Sequence, residues 1–90
     1  MNVANTIKTQ IGFWSLAEVG ARSFVGYGDR LQFIAKPRHR LVVVEVTLNA
    51  RDTYDVRVSR NSIGGDELYA VEGVYFDGLP SIIRGLADRV

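Results

Sequence analysis

The one histidine in the chain, His39, sits in a run of cations, Lys36-Pro37-Arg38-His39-Arg40. Imidazole is suited to moving protons near neutral pH, but it needs a carboxylate or hydroxyl partner to orient it. No such partner lies beside it in the sequence. No serine stands in a nucleophile elbow. The closest carboxylates, Asp52/Asp55 and Asp66/Glu67, do not have the alternating oxygen ligands and closing Glu of a calcium loop. Asp52 and Asp66 read instead as turn residues. Gly26-Tyr27-Gly28 and Gly64-Gly65 lack the length and the lysine of a phosphate-binding loop. With no cysteine, thiolate catalysis and Cys-based zinc or iron–sulfur sites are excluded. The expectation is a protein that is not an enzyme, with no catalytic residues, metal, cofactor or small-molecule substrate.

The stronger chemical signal is positive charge. Lys36, Arg38, His39 and Arg40 occupy one connection between two expected strands, and the register argued below brings Arg60 to the same end. Such a group can contact phosphates of a nucleic acid or an acidic protein surface. The competing reading, which carries more weight, is a hairpin tip kept in water by its charges. Tyr27, Phe13 and Trp14 would supply stacking surfaces if they lay beside it. Otherwise Phe13-Trp14 and Tyr75-Phe76 are expected in the core.

The scaffold follows from composition and periodicity. Ninety residues make one domain, residues 1–90. The charge sum is 11 − 10 = +1, too small for a global field that would attract nucleic acid or membrane. The longest apolar run, Leu41-Val42-Val43-Val44, is far short of a membrane span. The first five residues lack the basic segment and apolar run of a signal peptide. A cytoplasmic location and no membrane partner are expected.

Val3, Ile7, Ile11 and Trp14 recur at helical spacing, which predicts a helix over residues 3–11, with Asn2 as its cap and Gly12 in the left-handed position at its end. Residues 13–23 are ambiguous. Ser15 and Glu18 resemble a capping box before a turn of helix stopped at Gly20. The Phe13-Trp14 pair tilts the reading toward a strand.

Period-two alternation is clear in three segments. Leu31, Phe33 and Ala35 form one set, Val42 to Leu48 a second, and Tyr54, Val56 and Val58 a third, which predicts an antiparallel meander. Paired residues must share a face. A five-residue loop, residues 49–53, meets that condition. It sets Leu48 against Tyr54, Val46 against Val56, Val44 against Val58 and Glu45 against Arg57. Phe33 then faces Val44, and Ala35 faces Val42. On the second face Ile34, Leu41 and Val43 cluster, to be covered by the N-terminal helix or residues 13–25, or else by a second copy in self-association. Residues 61–66 read as a loop and residues 68–72 as a short strand. Asp77 is expected to cap a helix bearing Leu79, Ile82, Ile83, Leu86 and Val90, with Pro80 in its first turn. The fold class is α+β: an antiparallel meander of three to five strands packed on its even-numbered face against a C-terminal helix, with a short N-terminal helix.

Three stretches carry a resemblance. They are Gly20-Ala21-Arg22-Ser23-Phe24-Val25, then Val44-Glu45-Val46-Thr47-Leu48-Asn49-Ala50-Arg51-Asp52-Thr53-Tyr54-Asp55-Val56, then Glu72-Gly73-Val74-Tyr75-Phe76-Asp77-Gly78-Leu79. Over most of its length the chain resembles a group of small uncharacterised proteins carried by bacteriophages, prophages and related mobile elements. The resemblance implies a short accessory protein acting in a bacterial host cytoplasm, and no mechanism or site residue. The functional expectation is a non-catalytic interaction protein that binds a host or phage macromolecule, an inhibitor among other forms, or that self-associates. The alternative is a nucleic-acid-binding module using residues 36–40 and Arg60.

Overall fold

A computed structural model describes residues 3–61 and 65–90. Helix α1 spans Val3–Ile11 and α2 spans Phe13–Glu18. Five strands follow: β1 Arg22–Tyr27, β2 Arg30–Ala35, β3 Val42–Leu48, β4 Tyr54–Arg60 and β5 Glu67–Val74. Two short helices, α3 Leu79–Arg84 and α4 Leu86–Arg89, end the chain. The fold is α+β, with one antiparallel sheet in the order β1-β2-β3-β4-β5. Asn2, the expected cap of α1, lies outside the described residues, as do residues 62–64 of the expected 61–66 loop.

The register of the central strands is the one that face parity demands. Val44 pairs with Phe33 and Val58, Val46 pairs with Val56, and Leu48 pairs with Tyr54. Val42 stands between Ala35 and Arg60. Asn49 closes the β3–β4 turn. Its Oδ1 accepts the Arg51 and Thr53 N–H groups at 2.9 and 3.2 Å, and its Nδ2 donates to Asp55 Oδ1 at 3.0 Å. One side chain thereby satisfies the polar groups of a five-residue turn.

The side chains of Leu31, Phe33, Ala35, Val42, Val44, Val46, Val56 and Val58 share one face and are buried. Ala4, Ile7 and Ile11 of α1, Leu16 of α2, Leu79 and Ile83 of α3 and Leu86 of α4 complete the same core. All helices therefore sit on the even-numbered face of β3. Gly26 of β1 shows how closely α1 approaches, since a Cβ there would overlap the Ala4 methyl. Tyr54 ties the layers together by donating its hydroxyl to Gln10 Oε1. Burial raises the Tyr54 pKa above its ordinary value; the Gln10 hydrogen bond partly offsets this, and Asp52 adds to it.

Four expectations need correction. Residues 13–18 are helical, not a strand. Gly12, at φ 91°, breaks α1 and lets α2 restart at once, with no side-chain cap. Ser15 lies inside α2, whose N-cap is Gly12, so it makes no capping box. Gly20, at φ 65°, ends α2: its N–H bonds to the Ala17 carbonyl at 3.1 Å while Ala21 N–H reaches Leu16 at 2.9 Å. That is a Schellman closure. Asp77 does not cap the C-terminal helix, because a 3₁₀ turn over Phe76–Gly78 leads into α3 without a side-chain cap. The apolar stripe from Leu79 to Val90 is carried by two helices, divided at Gly85. Last, the expected strand at residues 68–72 extends to the full span of β5.

Candidate interaction surfaces

Three surfaces carry the side chains that could act on something outside the fold.

The basic end is assembled as expected but is partly neutralised. Residues 37–40 form a tight turn between β2 and β3, closed by the Arg40 N–H donating to the Pro37 carbonyl at 3.1 Å, and Arg60 pairs with Val42 beside it. Arg38 Nη2 lies 2.8 Å from Asp88 Oδ1 on α4, and Arg60 Nε lies 3.9 Å from Asp66 Oδ2. Lys36, His39 and Arg40 are exposed and make no ion pair among the described residues. Arg38 and His39 both hold left-handed backbone, at φ 48° and 66°, which costs about 1–2 kcal/mol for each non-glycine residue. The Arg38–Asp88 contact and the buried Pro37 hold that turn in place. Of the residues expected to stack there, Tyr27 is elsewhere. Tyr27 sits at the β1–β2 turn, at the other end of β2 from Lys36.

The open face of the sheet is a field of cross-strand rows. Arg22, Ile34, Val43 and Ser59 form one row, and Val25, Gln32, Glu45, Arg57 and Ala70 the next. Tyr27, Arg30, Thr47 and Asp55 form a third. Glu45 and Arg57 stand side by side, as the register requires, but each bonds elsewhere. Arg30 Nη1 lies 3.4 Å from Glu45 Oε1, and Arg57 Nε lies 2.9 Å from Glu67 Oε1. The Tyr27 hydroxyl is 3.0 Å from both Gln32 Oε1 and Glu45 Oε2. Its pKa lies above the ordinary value, first through burial and then through the Glu45 carboxylate. The same carboxylate raises that of Arg30. A shallow hollow of about 220 Å³ between Arg30, Glu45, Asp55 and Arg57 is therefore internally compensated, cation against anion. Ile34 and Val43 are cross-strand partners here and are half-buried, while Leu41 is exposed. The expectation that the N-terminal helix covers these three does not hold, because the helices all pack on the other face. Of residues 13–25, only the β1 segment reaches this side, at the sheet edge.

The third surface is the one the sequence reading placed in the core. Phe13, Trp14, Tyr75 and Phe76 are exposed by 72%, 74%, 69% and 60%. Phe13 and Trp14 open α2, with ring centroids 5.2 Å apart in an edge-to-face pair. Tyr75 and Phe76 lead from β5 into the 3₁₀ turn before α3. Each pair follows, in sequence, a segment that meets Tyr54. Gln10, in the last turn of α1, bonds to Tyr54, and Tyr54 pairs with Val74. Phe13 lies three residues beyond Gln10, and Tyr75 one residue beyond Val74. Beside Trp14, a groove of about 510 Å³ runs between α2 and α3, lined by Ala17, Glu18 and Arg84. Arg84 Nε spans it to Glu18 Oε2 at 3.5 Å.

A six-residue helix offers fewer than two turns, so only its inward residues, Ser15 and Leu16, can be buried. No cluster of three or more His, Asp or Glu side chains could hold a metal among the described residues. No described helix is long and apolar enough to cross a membrane. No protein family, curated protein or solved structure matches this chain.

Proposed function

We propose that this chain is a non-catalytic interaction protein that binds a macromolecular partner through the aromatic end of its helical layer. The observation that carries the reading is the exposure of Phe13, Trp14, Tyr75 and Phe76. A whole aromatic side chain offers about 150–250 Å², so the four together leave roughly 400–700 Å² of surface in water. One side of a standard protein interface is about 800 Å². Trp and Tyr are also the residues that dominate binding energy at such sites. The resemblance to small phage and mobile-element proteins belongs to the same proposal: a compact accessory domain that acts on a host or phage macromolecule by occupying its surface. The basic turn supports nucleic acid less well, because Arg38 and Arg60 already face Asp88 and Asp66.

The test is affinity capture from bacterial lysate with the wild-type chain and a Phe13→Ala/Trp14→Ala/Tyr75→Ala/Phe76→Ala variant. All four side chains are solvent-facing, so the variant retains its fold, as circular dichroism checks. Partners held by the wild type and lost by the variant are expected. Equal retention by both would remove the aromatic end as the docking surface.

A further inference from the structure

We infer that the free edge of β5 takes up an extended segment of a partner in which basic and apolar residues alternate, adding a strand to the sheet. This surface is separate from the aromatic end. β5 is the last strand of the sheet, so one of its edges has no neighbouring strand among the described residues. In an antiparallel ladder, successive residues turn their N–H and C=O groups to opposite sides. The Asn49 N–H donates to the Thr53 carbonyl at 2.9 Å, which sets Thr47–Asp55, Glu45–Arg57 and Val43–Ser59 as the bonded pairs of β3 and β4. Tyr54, Val56, Val58 and Arg60 therefore turn toward β5, and the Arg60 N–H reaches the Asp66 carbonyl at 2.9 Å. Their partners Val74, Val71 and Tyr69 turn inward to meet them. The Ala70 N–H and C=O and the Glu72 N–H consequently point out of the sheet, with no bonding partner among the described residues.

The side chains beside those groups set the chemistry of the incoming strand. Ala70 and Glu72 lie toward the open face, with Arg57 and Asp55. Tyr69 and Val71 pair with the buried Val58 and Val56 on the other face, and are themselves only half-buried. Residues 65–83 contain Asp66, Glu67, Glu72 and Asp77, and no Lys or Arg. Asp66 and Glu67 meet Arg60 and Arg57, but the exposed Glu72 makes no ion pair among the described residues. An added strand therefore has an acid to answer on one face and apolar side chains to cover on the other, which alternating basic and apolar residues do. A second copy would bring one acidic edge against another, and like charges across strands repel. The opposite edge, β1, is less open to pairing. Ser23 holds φ 57° and the register to β2 shifts between Arg22 and Val25, an irregularity of the kind that blunts an edge. The register of β5 also shifts, but Tyr69, Ala70 and Val71 pair in unbroken order.

The probe is the synthetic peptide acetyl-Lys-Val-Lys-Val-Lys-Val-Lys-amide, titrated into the isotope-labelled full chain and followed by nuclear magnetic resonance. Binding is expected, with amide shifts centred on β5 and slowed hydrogen exchange at Ala70 and Glu72. Ala70→Pro removes an outward N–H and leaves the bonds to β4 in place, a change that edge strands tolerate. It should weaken binding by about 10-fold. Glu72→Lys should weaken it by about 5-fold or more. Two further peptides keep the test independent of how the variants fold. The same peptide N-methylated at every residue retains its charge and side chains but has no backbone donors, and it should not bind. Acetyl-Glu-Val-Glu-Val-Glu-Val-Glu-amide should not bind either. A lysine peptide that fails to bind at millimolar concentration overturns the inference. So does one that shifts amides away from β5, or binding that survives N-methylation or charge reversal of the peptide. The four-aromatic variant should take up the lysine peptide as the wild type does, so this edge and the aromatic end stand or fall separately.

Discussion

Phe33 and Trp14 are both large aromatic residues, and they have opposite roles. Phe33 is completely enclosed and stacks against Phe24 with ring centroids 5.5 Å apart. Phe33→Ala should cost about 3–5 kcal/mol of unfolding free energy. Trp14→Ala should change it by no more than about 0.5 kcal/mol, as for an ordinary surface substitution. Urea denaturation of the two variants checks both values. Gly26 is confined by α1, so Gly26→Ala should destabilise by about 1–3 kcal/mol through overpacking, and Gly26→Ala/Ala4→Gly should recover part of that loss. Tyr54 gives a pH signature. Its folded-state pKa is raised, so the folded chain holds that proton more tightly than the unfolded one. The contribution is fully present below the ordinary value, about 10, and is lost as pH rises through the higher folded value. Stability of the wild type should therefore fall above about pH 10, with a shallower fall in Tyr54→Phe. Neither the Gly26 approach nor the Tyr54–Gln10 bond was legible in the sequence, because both join segments far apart in the chain.

Single elements differ in how fully the sequence specified them. Strands β2, β3 and β4 were legible down to individual pairs, since one slipped residue would have turned every valine outward. Asn49 anchors that register, and Asn49→Ala should cost about 1–3 kcal/mol by leaving turn N–H groups unpaired. Helix α2 was not legible. Its outward Phe13 and Trp14 break the apolar-in, polar-out pattern on which the reading depended. Departures of that kind are expected where a surface serves contact and not packing. The same local view counted charges in the basic turn without the acids that meet them. Asp88 is 50 residues from Arg38 in sequence, and only the fold brings it close. Two cations there, Lys36 and Arg40, remain without an ion pair among the described residues. Any DNA binding by this turn should therefore have a salt slope no steeper than about −2 in log K against log salt. Filter binding at several salt concentrations measures it.

At the scale of the whole molecule, the fold is a two-layer structure with unequal outer surfaces. The open sheet face compensates its own charges through Arg30–Glu45 and Arg57–Glu67. The helical layer leaves its largest aromatic side chains uncovered. The proposed docking surface on the helical layer rests on that asymmetry. Acrylamide quenching of Trp14 tests this most directly. In dilute wild-type protein the indole should be quenched nearly as efficiently as a free tryptophan derivative. With the captured partner bound, quenching should fall several-fold. Quenching that is unchanged by the partner would contradict the account, because the aromatic end would then take no part in the contact.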